Sequence, residues 1–346
     1  MGMSEFLSEV LAHYGLYPLE VNQQTDNVYK VYTNHGAVAV KRTDMDDQQI
    51  KQWIATYQQA NESQLSSLMP LYMTSNQELY VQQRNHTWYI MPWVETPHRD
   101  TPPYPFDLFY SSLADIHRRT SKTQVVKRED FEDRMESKKN QIRADKDKLE
   151  GYVEAFEKHH YMAPFELQVC THFRDLLYVF EISEEWCDRF LEDIEEDKKI
   201  RLTLCHGDLK PSHFIYDENK PYFLNWERAS WNYPVFDLTS YYWNIIKYHD
   251  APVEQLVTTF SSYEERFNLM NSERCLFALY LLSPDHYLDQ VDAYVSGARN
   301  SGQPFLVQKL EHSYYVLQHS LQIQSQIEKA REYIQQQEEE KEQEEG

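Results

Sequence analysis

The stretch CHGDLKPSHFIYDENKPYFLNWE, residues 205–227, decides the fold. It begins where a short apolar run ends and continues with the triplet HGD at 206–208. A segment with the pattern of a β-hairpin follows, and the stretch closes on the triplet NWE at 225–227. The triplets HGD and NWE, one on each side of the hairpin pattern, supply candidate site residues.

Asp208 is the candidate catalytic base. In phosphoryl transfer the acceptor hydroxyl needs a carboxylate within hydrogen-bond reach that orients it and takes its proton. Gly207, one of only 8 glycines, indicates a backbone constraint, and His206 is expected to brace the loop. Lys210 is placed to meet a transferred phosphoryl group. The alternative is that Asp208 is an ordinary loop aspartate, satisfied by nearby N–H groups.

His213 and Asn225 occupy the two positions where a kinase-type site carries its metal ligands, and an Asn and an Asp are expected there instead. Mg²⁺ prefers hard oxygen ligands, whereas an imidazole nitrogen suits Mn²⁺ or Zn²⁺ better. A neutral amide also lacks the charge that holds the ion. Glu227 lies two residues beyond Asn225 and is a further candidate ligand. The sequence therefore predicts the loss of tight Mg²⁺ binding, unless His213 and Asn225 are ordinary polar loop residues.

Lys41 ends an apolar strand and is the candidate for contacting the α- and β-phosphates of ATP. That role needs a carboxylate from the neighbouring helix, but the predicted helix from Asp46 to Asn61 contains no Glu. The alternative is a strand-end lysine exposed to water. No G-x-G occurs in the chain, and the turn before the first predicted strand includes Asp26, which would repel phosphate. ATP with Mg²⁺ is therefore a candidate ligand that the sequence predicts to bind weakly.

Hydrophobic periodicity predicts the order strand, strand, helix, strand, strand within residues 1–94, which gives a small β-rich N-terminal lobe. The Pro-rich loop that follows is the predicted lobe junction. Residues 95–334 are predicted to form a larger helical lobe that contains the hairpin of the catalytic loop. Asp237, in the segment Pro234 to Leu238 that opens a helix, is expected to cap that helix and contact the catalytic loop, or only to cap it. Residues 335–346 form a Gln/Glu tail that is predicted to be disordered.

The bulk composition excludes several classes of function. A formal net charge of −22 opposes binding to nucleic acid or to an anionic membrane, because both require clustered cations. No apolar run is long enough to predict a transmembrane helix. The acidic N-terminus lacks the pattern of a secretory signal. The 4 cysteines lack C-x-x-C spacing and favour a reducing compartment.

Together these motifs resemble the aminoglycoside phosphotransferase/choline kinase branch of the protein-kinase-like fold. The family pattern H-G-D-x-x-x-x-N corresponds to residues 206–213, the pattern I-D-W-E to residues 224–227, and the pattern P-x-x-D-L to residues 234–238. The resemblance implies that Lys41 is the nucleotide-contacting strand lysine. It also implies that Pro92 and Val94 belong to the hinge of the cofactor site.

Within that branch the chain is similar to the spore-coat kinase-like proteins of endospore-forming bacteria. We therefore predict a two-lobed α+β protein that is made in the mother-cell cytoplasm and attached to the spore coat. The expected role is that of a catalytically impaired pseudokinase that binds or scaffolds coat proteins. Two alternatives stay open: an active ATP-dependent phosphotransferase acting on a small hydroxyl or amine substrate or on a coat protein, and a purely structural coat component.

Overall fold

The computed structural model describes residues 3–95, 105–217, 220–297 and 302–345. The chain divides into two compact units. The first unit combines the residues up to Thr120 with the segment His206–Ser230, and the second combines Ser121–Cys205 with the residues from Trp231 onward. Most of the Pro-rich loop predicted as the lobe junction lies outside the described residues, so the predicted boundary between residues 94 and 95 stays a prediction.

The first unit is built on a five-stranded antiparallel sheet with the strand order β1-β2-β3-β5-β4. Helix α1 packs its apolar residues on this sheet, where Phe6, Leu7 and Val10 join Val31 and Trp88 in one buried cluster. The elements of this unit, in chain order, are α1 (Met3–Ala12), β1 (Pro18–Thr25), β2 (Val28–Thr33), β3 (Gly36–Thr43), α2 (Asp47–Glu62), β4 (Val81–Gln83), β5 (His86–Pro92), α3 (Phe106–Thr120), β8 (Phe214–Asp217) and β9 (Lys220–Phe223).

The hairpin β8–β9 packs against residues from the N-terminal part of the chain. The N–H of Phe223 donates to the carbonyl of Ser67 at 2.7 Å, and the carbonyl of Phe223 accepts from Met69 at 3.1 Å. On α3, the ring of Phe109 lies edge-on to Phe214 and Phe223, with centroid separations of 5.4 and 5.8 Å. The sequence-based division grouped this hairpin with the helical region, whereas its backbone pairing and aromatic contacts group it with the first unit.

The second unit is mainly helical. A three-stranded sheet with the order β10-β7-β6 accompanies the helices. The elements, in chain order, are β6 (Lys122–Val125), α4 (Glu129–Glu157), α5 (Pro164–Asp197), β7 (Lys199–Cys205), β10 (Ser230–Asn232), α6 (Val235–Ile246), α7 (Val253–Thr258), α8 (Ser261–Glu264), α9 (Asn271–Leu281), α10 (Asp285–Val295) and α11 (Gln303–Glu345). The predicted α+β class, with a β-sheet N-terminal region and a helical C-terminal region, is confirmed.

Helix α11 continues to Glu345 and so runs through most of the Gln/Glu segment 335–346. The disorder expected for this tail stays a prediction. Glu, Gln and Lys are good helix formers, so the tail extends the helix that precedes it without needing a buried face. Along the described residues, none of the helices combines the length and the apolar character that crossing a bilayer would require.

Candidate functional site

The loop that carries the candidate base Asp208, residues 206–210, is called the base loop. It contains a glycine that no other residue could replace without strain. Gly207 has φ +83°, and a Cβ atom added there would lie 2.1 Å from the carbonyl oxygen of Arg228. Arg228 ends a short 3₁₀ turn, Trp226–Arg228. The backbone of the base loop therefore touches the backbone that follows the second candidate metal position, and the two halves of the site are held together there.

His206 ties the same two segments through its imidazole ring. Its Nε2 donates to the carbonyl of Leu224 at 2.5 Å, and its Nδ1 accepts from the N–H of Asp208 at 3.3 Å. The ring is fully buried and lies 4.9 Å from the ring of Trp226. These partners require the neutral tautomer that carries its proton on Nε2, because a carbonyl can only accept and a backbone N–H can only donate. His206 thus fixes the peptide that carries Asp208.

Asp208 and Lys210 form an ion pair at the open side of the loop. The Lys210 ammonium donates to Asp208 Oδ2 at 2.8 Å, and the two side chains are 41% and 27% exposed. Such a partly exposed pair adds little stability. It does place a partly exposed carboxylate beside a cation at the open side of the loop.

His213, at the first candidate metal position, serves the backbone of the base loop. Its Nδ1 donates to the carbonyl of Asp208 at 2.8 Å, and its own carbonyl accepts from the N–H of Leu224 at 2.8 Å. Burial, together with the neighbouring His206, lowers the pKa of His213 to about 4. The ring is therefore neutral near pH 7, and one of its nitrogens is committed to the loop.

The carboxylate partner of Lys41 comes from the NWE triplet and not from helix α2. Lys41 Nζ lies 2.5 Å from Asn225 Oδ1 and 2.5 Å from Glu227 Oε1. Asn225 adopts a left-handed backbone conformation with φ 66° and ψ 54°. The Tyr89 hydroxyl donates to the same Glu227 oxygen at 2.7 Å. Lys41 and Tyr89 face each other across the strand pair β3–β5, which places both on the Glu227 carboxylate.

Glu227 is ionised in this setting. Burial raises the pKa of its carboxyl, but the Lys41 ammonium and the Tyr89 hydroxyl outweigh burial and leave the pKa below its usual value. Burial, followed by the charge of Glu227, raises the pKa of Tyr89 well above the ordinary range of a phenol. One carboxylate therefore balances one ammonium, and the tyrosine contributes a neutral O–H.

Helix α2 supplies no carboxylate to this pair. Its acidic residues lie at its two ends, where Asp47 and Glu62 are exposed. Asp46 caps the helix by accepting from the N–H groups of Gln48 and Gln49. The helix reaches the NWE segment through Gln52, whose amide donates to the carbonyl of Ala229 at 2.8 Å. The sequence already shows that the helix lacks a carboxylate for Lys41. Glu227 is the carboxylate that Lys41 contacts instead.

These donors do not fit Mg²⁺. A magnesium site needs several hard oxygens in octahedral array, at least some of them anionic. At the second candidate metal position, the amide oxygen of Asn225 and the carboxylate oxygen Oε1 of Glu227 both accept hydrogen bonds from the Lys41 ammonium. The sequence identifies Glu227 as a further candidate metal ligand. It does not show that the Glu227 carboxylate binds the Lys41 ammonium.

The remaining candidate residues lie in separate places. Asp26 belongs to the tight turn between β1 and β2, the position of the predicted phosphate loop. Pro92 ends β5 opposite Val38, and the half-buried Val94 follows it. Asp237 is fully buried, and it lies inside α6 and not at its N-cap, because that helix begins at Val235.

Comparison with known proteins places the chain in a family. The profile of the phosphotransferase enzyme family matches residues 19–269, which include all the candidate site residues. No curated protein sequence matched the chain.

Three solved structures illustrate the similarity of fold. An aminoglycoside phosphotransferase from Alicyclobacillus acidocaldarius subsp. acidocaldarius is 15% identical, with a TM-score of 0.70 over 94% of this chain and 96% of that chain. The AMP-bound complex of spectinomycin phosphotransferase is 12% identical, with a TM-score of 0.61 over 93% and 99% of the two chains. Amicoumacin kinase in complex with AMP-PNP, Ca²⁺ and Ami is 12% identical, with a TM-score of 0.53 over 91% and 93%.

Proposed function

Because the chain belongs to the phosphotransferase enzyme family, we propose that it is a kinase-like binding protein in which metal-dependent phosphoryl transfer is impaired. One observation carries the proposal. The Lys41 ammonium donates to Asn225 Oδ1 and to Glu227 Oε1, the oxygens on which a divalent ion at this position would depend. Lys41 is also the lysine expected to contact the nucleotide phosphates, and its ammonium is already bound to these two side chains.

We further propose that the protein acts as a binding or scaffold component of the spore coat and is made in the mother-cell cytoplasm. The motif resemblance to spore-coat kinase-like proteins supports this role. In an endospore-forming host, the tagged protein should fractionate with the coat of purified spores. Recovery only from the soluble fraction of the mother cell would contradict it.

An active phosphotransferase is the second candidate function, and the base loop favours it. This proposal is supported by the candidate residues His206, Asp208 and Lys210, of which the Lys210 ammonium lies 2.8 Å from the Asp208 carboxylate. The acceptor would be a small hydroxyl or amine compound, or a coat protein. The solved structures with this fold include complexes with AMP, with ADP and spectinomycin, and with AMP-PNP, so ATP is the donor to test.

Calorimetric titration with Mg-ATP separates the two functions. The wild type is compared with the double variant His213→Asn/Asn225→Asp, which returns an amide oxygen and a carboxylate to the metal positions. We expect weak binding by the wild type, tighter binding by the double variant, and a smaller gain from either single change, because residues that act as a unit are not additive. Wild-type affinity equal to that of the double variant, with release of ADP on turnover, would instead identify a working kinase.

Thermal unfolding gives an independent readout of the same question. A ligand at 100 times its dissociation constant stabilises the folded state by about 2.7 kcal/mol. Millimolar Mg-ATP should therefore shift the melting temperature of the wild type very little, and a shift of several degrees would overturn the impaired-site proposal. If neither the wild type nor the double variant binds, the nucleotide-free scaffold role is favoured.

A further inference from the structure

We propose that the Lys41 ammonium is the built-in cation of this site, bound by the oxygens of Asn225 and Glu227 in the position where relatives would need a divalent ion, and that it excludes such an ion. The inference deepens the proposed function, on which it rests. It gives a second reason for the loss of the metal ion. Besides the changed ligands at positions 213 and 225, the ammonium of a lysine in the chain itself takes the place of the ion.

The contact geometry supports this replacement. Both oxygens lie 2.5 Å from Lys41 Nζ, so the ammonium occupies the position between them. An ammonium has three N–H donors, and two of them are used here. The Tyr89 ring flanks the same ammonium, whose nitrogen is 5.7 Å from the ring centroid. A metal ion would have to bind the same two oxygens at about 2.0–2.1 Å, with the ammonium still beside them.

The charge count leads to the same conclusion. The site holds the Glu227 carboxylate, the neutral Asn225 amide and the Lys41 ammonium, which sum to zero. The side chains of Lys41 and Glu227 are only 13% and 12% exposed, so solvent screens the pair poorly. A divalent ion added to a site that is already neutral would meet the repulsion of the ammonium without a new anion to offset it.

The surrounding elements keep the lysine in place. Strand β5 contributes the Tyr89 hydroxyl, which donates to the same Glu227 oxygen at 2.7 Å. Helix α2 contributes the neutral amide of Gln52, bound to the carbonyl of Ala229. Since the acids of α2 lie at its exposed ends, that helix offers Lys41 no competing carboxylate, and the ammonium stays on the oxygens that it neutralises.

The test is titration of Mn²⁺ into nucleotide-free protein, followed by the electron paramagnetic resonance signal of the free ion. Wild type should leave Mn²⁺ free. Lys41→Met removes the cation and exposes the two oxygens, so this variant should bind one Mn²⁺ at least about tenfold more tightly than wild type. Lys41→Arg keeps a cation and should behave like wild type. Lys41→Met/Glu227→Gln removes the carboxylate as well and should lose the Mn²⁺ site again.

Two results would overturn the inference. One is binding of a single Mn²⁺ by the wild type that Glu227→Gln abolishes. The other is Mn²⁺ binding by folded Lys41→Met that is no tighter than that of wild type. If Lys41→Met does not fold, the comparison of wild type with Glu227→Gln decides. A wild type that leaves Mn²⁺ free sustains the inference. A wild type that binds Mn²⁺ and loses it on Glu227→Gln overturns it.

An ATP-turnover assay distinguishes failure of this inference from failure of the proposed function. ATP turnover that persists in EDTA would show that the protein is an enzyme and not only a binding protein, and it would leave the built-in cation standing. Turnover that requires Mg²⁺, together with Glu227-dependent Mn²⁺ binding by the wild type, would overturn both. Absence of turnover with a Glu227-dependent Mn²⁺ site would overturn the built-in cation alone.

Discussion

Gly207 and Arg228 are in backbone contact, so that a single added methyl group at Gly207 would lie 2.1 Å from the Arg228 carbonyl oxygen. The positive φ of Gly207, +83°, adds a second reason why an L-residue does not fit there. A backbone contact therefore fixes the position of the candidate base relative to the NWE segment. Unlike a side-chain contact, it cannot be lost by a change of rotamer.

Gly207→Ala should destabilise the protein by about 2 kcal/mol or more, because strain at a positive φ adds to a backbone clash. Urea unfolding would measure the loss. Gly151→Ala is the matched control, since Gly151 lies in α4 with nothing within 4 Å of an added Cβ, and it should gain roughly 0.5–1 kcal/mol of helix stability. Equal effects of the two substitutions would contradict the packing described for Gly207.

Arg331→Met should destabilise the second unit by about 3–5 kcal/mol, because it removes the guanidinium that balances the charge of the buried Asp193 carboxylate. The Arg331 guanidinium donates to both oxygens of Asp193, at 2.8 and 2.6 Å, and the Asp193 side chain is fully buried. The exposed pair of Arg128 with Glu195 gives the control, and Arg128→Met should cost about 0–1 kcal/mol. Chemical denaturation would separate the two values. A cost for Arg331→Met near that of the control would mean that the buried pair adds little.

The free energy of unfolding should fall as the pH is lowered from about 6.5 toward 4, in part because of His172. Burial lowers the pKa of this imidazole to about 4. In the folded chain it contacts the Tyr287 hydroxyl, stacks on Tyr314 and lies 3.3 Å from the Glu311 carboxylate, with Asp175 close enough to oppose the shift. The unfolded chain then binds more protons than the folded chain across this window, so acid favours unfolding.

His172→Gln should flatten that dependence by up to about 1.4 kcal/mol per pH unit within the window. Urea unfolding at several pH values between 4 and 7 would measure the slope. The control substitution is His160→Gln, which removes an exposed imidazole and tests whether the effect is specific to position 172. Identical slopes for wild type and His172→Gln would show that His172 titrates alike in both states.

Deletion of residues 338–346 should leave the stability within about 0.5 kcal/mol of wild type, as for a surface change. The segment is helical up to Glu345 but consists almost wholly of Glu and Gln, so it has no apolar anchor to lose. Melting temperatures of the full-length and shortened chains would test this. A loss above about 1 kcal/mol would reveal a docked tail.

Hydrophobic spacing is informative for the long helix α4. Its apolar residues recur at helical spacing, and the face that they form is buried: Phe131, Met135, Ile142, Leu149, Val153 and Phe156. Strand β1 was missed, because its polar residues are mostly exposed at the edge of the sheet and give no alternation. Helix α5 runs without a break from Pro164 to Asp197, and within it the Ser183 hydroxyl donates to the carbonyl of Val179 at 2.7 Å.

The site shows a sharper limit of sequence reasoning. Motif spacing was enough to name Asp208 as the candidate base and 213 and 225 as the candidate metal positions, because each motif spans only a few neighbouring residues. The contact between Lys41 and Glu227 spans 186 positions in the chain. The direction of Glu227 depends on the left-handed conformation of Asn225 and on the 3₁₀ turn that follows, and residue spacing does not encode either.

That long separation has a consequence during synthesis. Lys41 leaves the ribosome with the N-terminal sheet, while its partner Glu227 arrives only after the whole segment Ser121–Cys205 of the other unit. Domains generally begin to fold in the order in which they are made. The first unit is therefore incomplete for more than half of translation, and a nascent chain released early would carry the lysine of the site without its counter-charge.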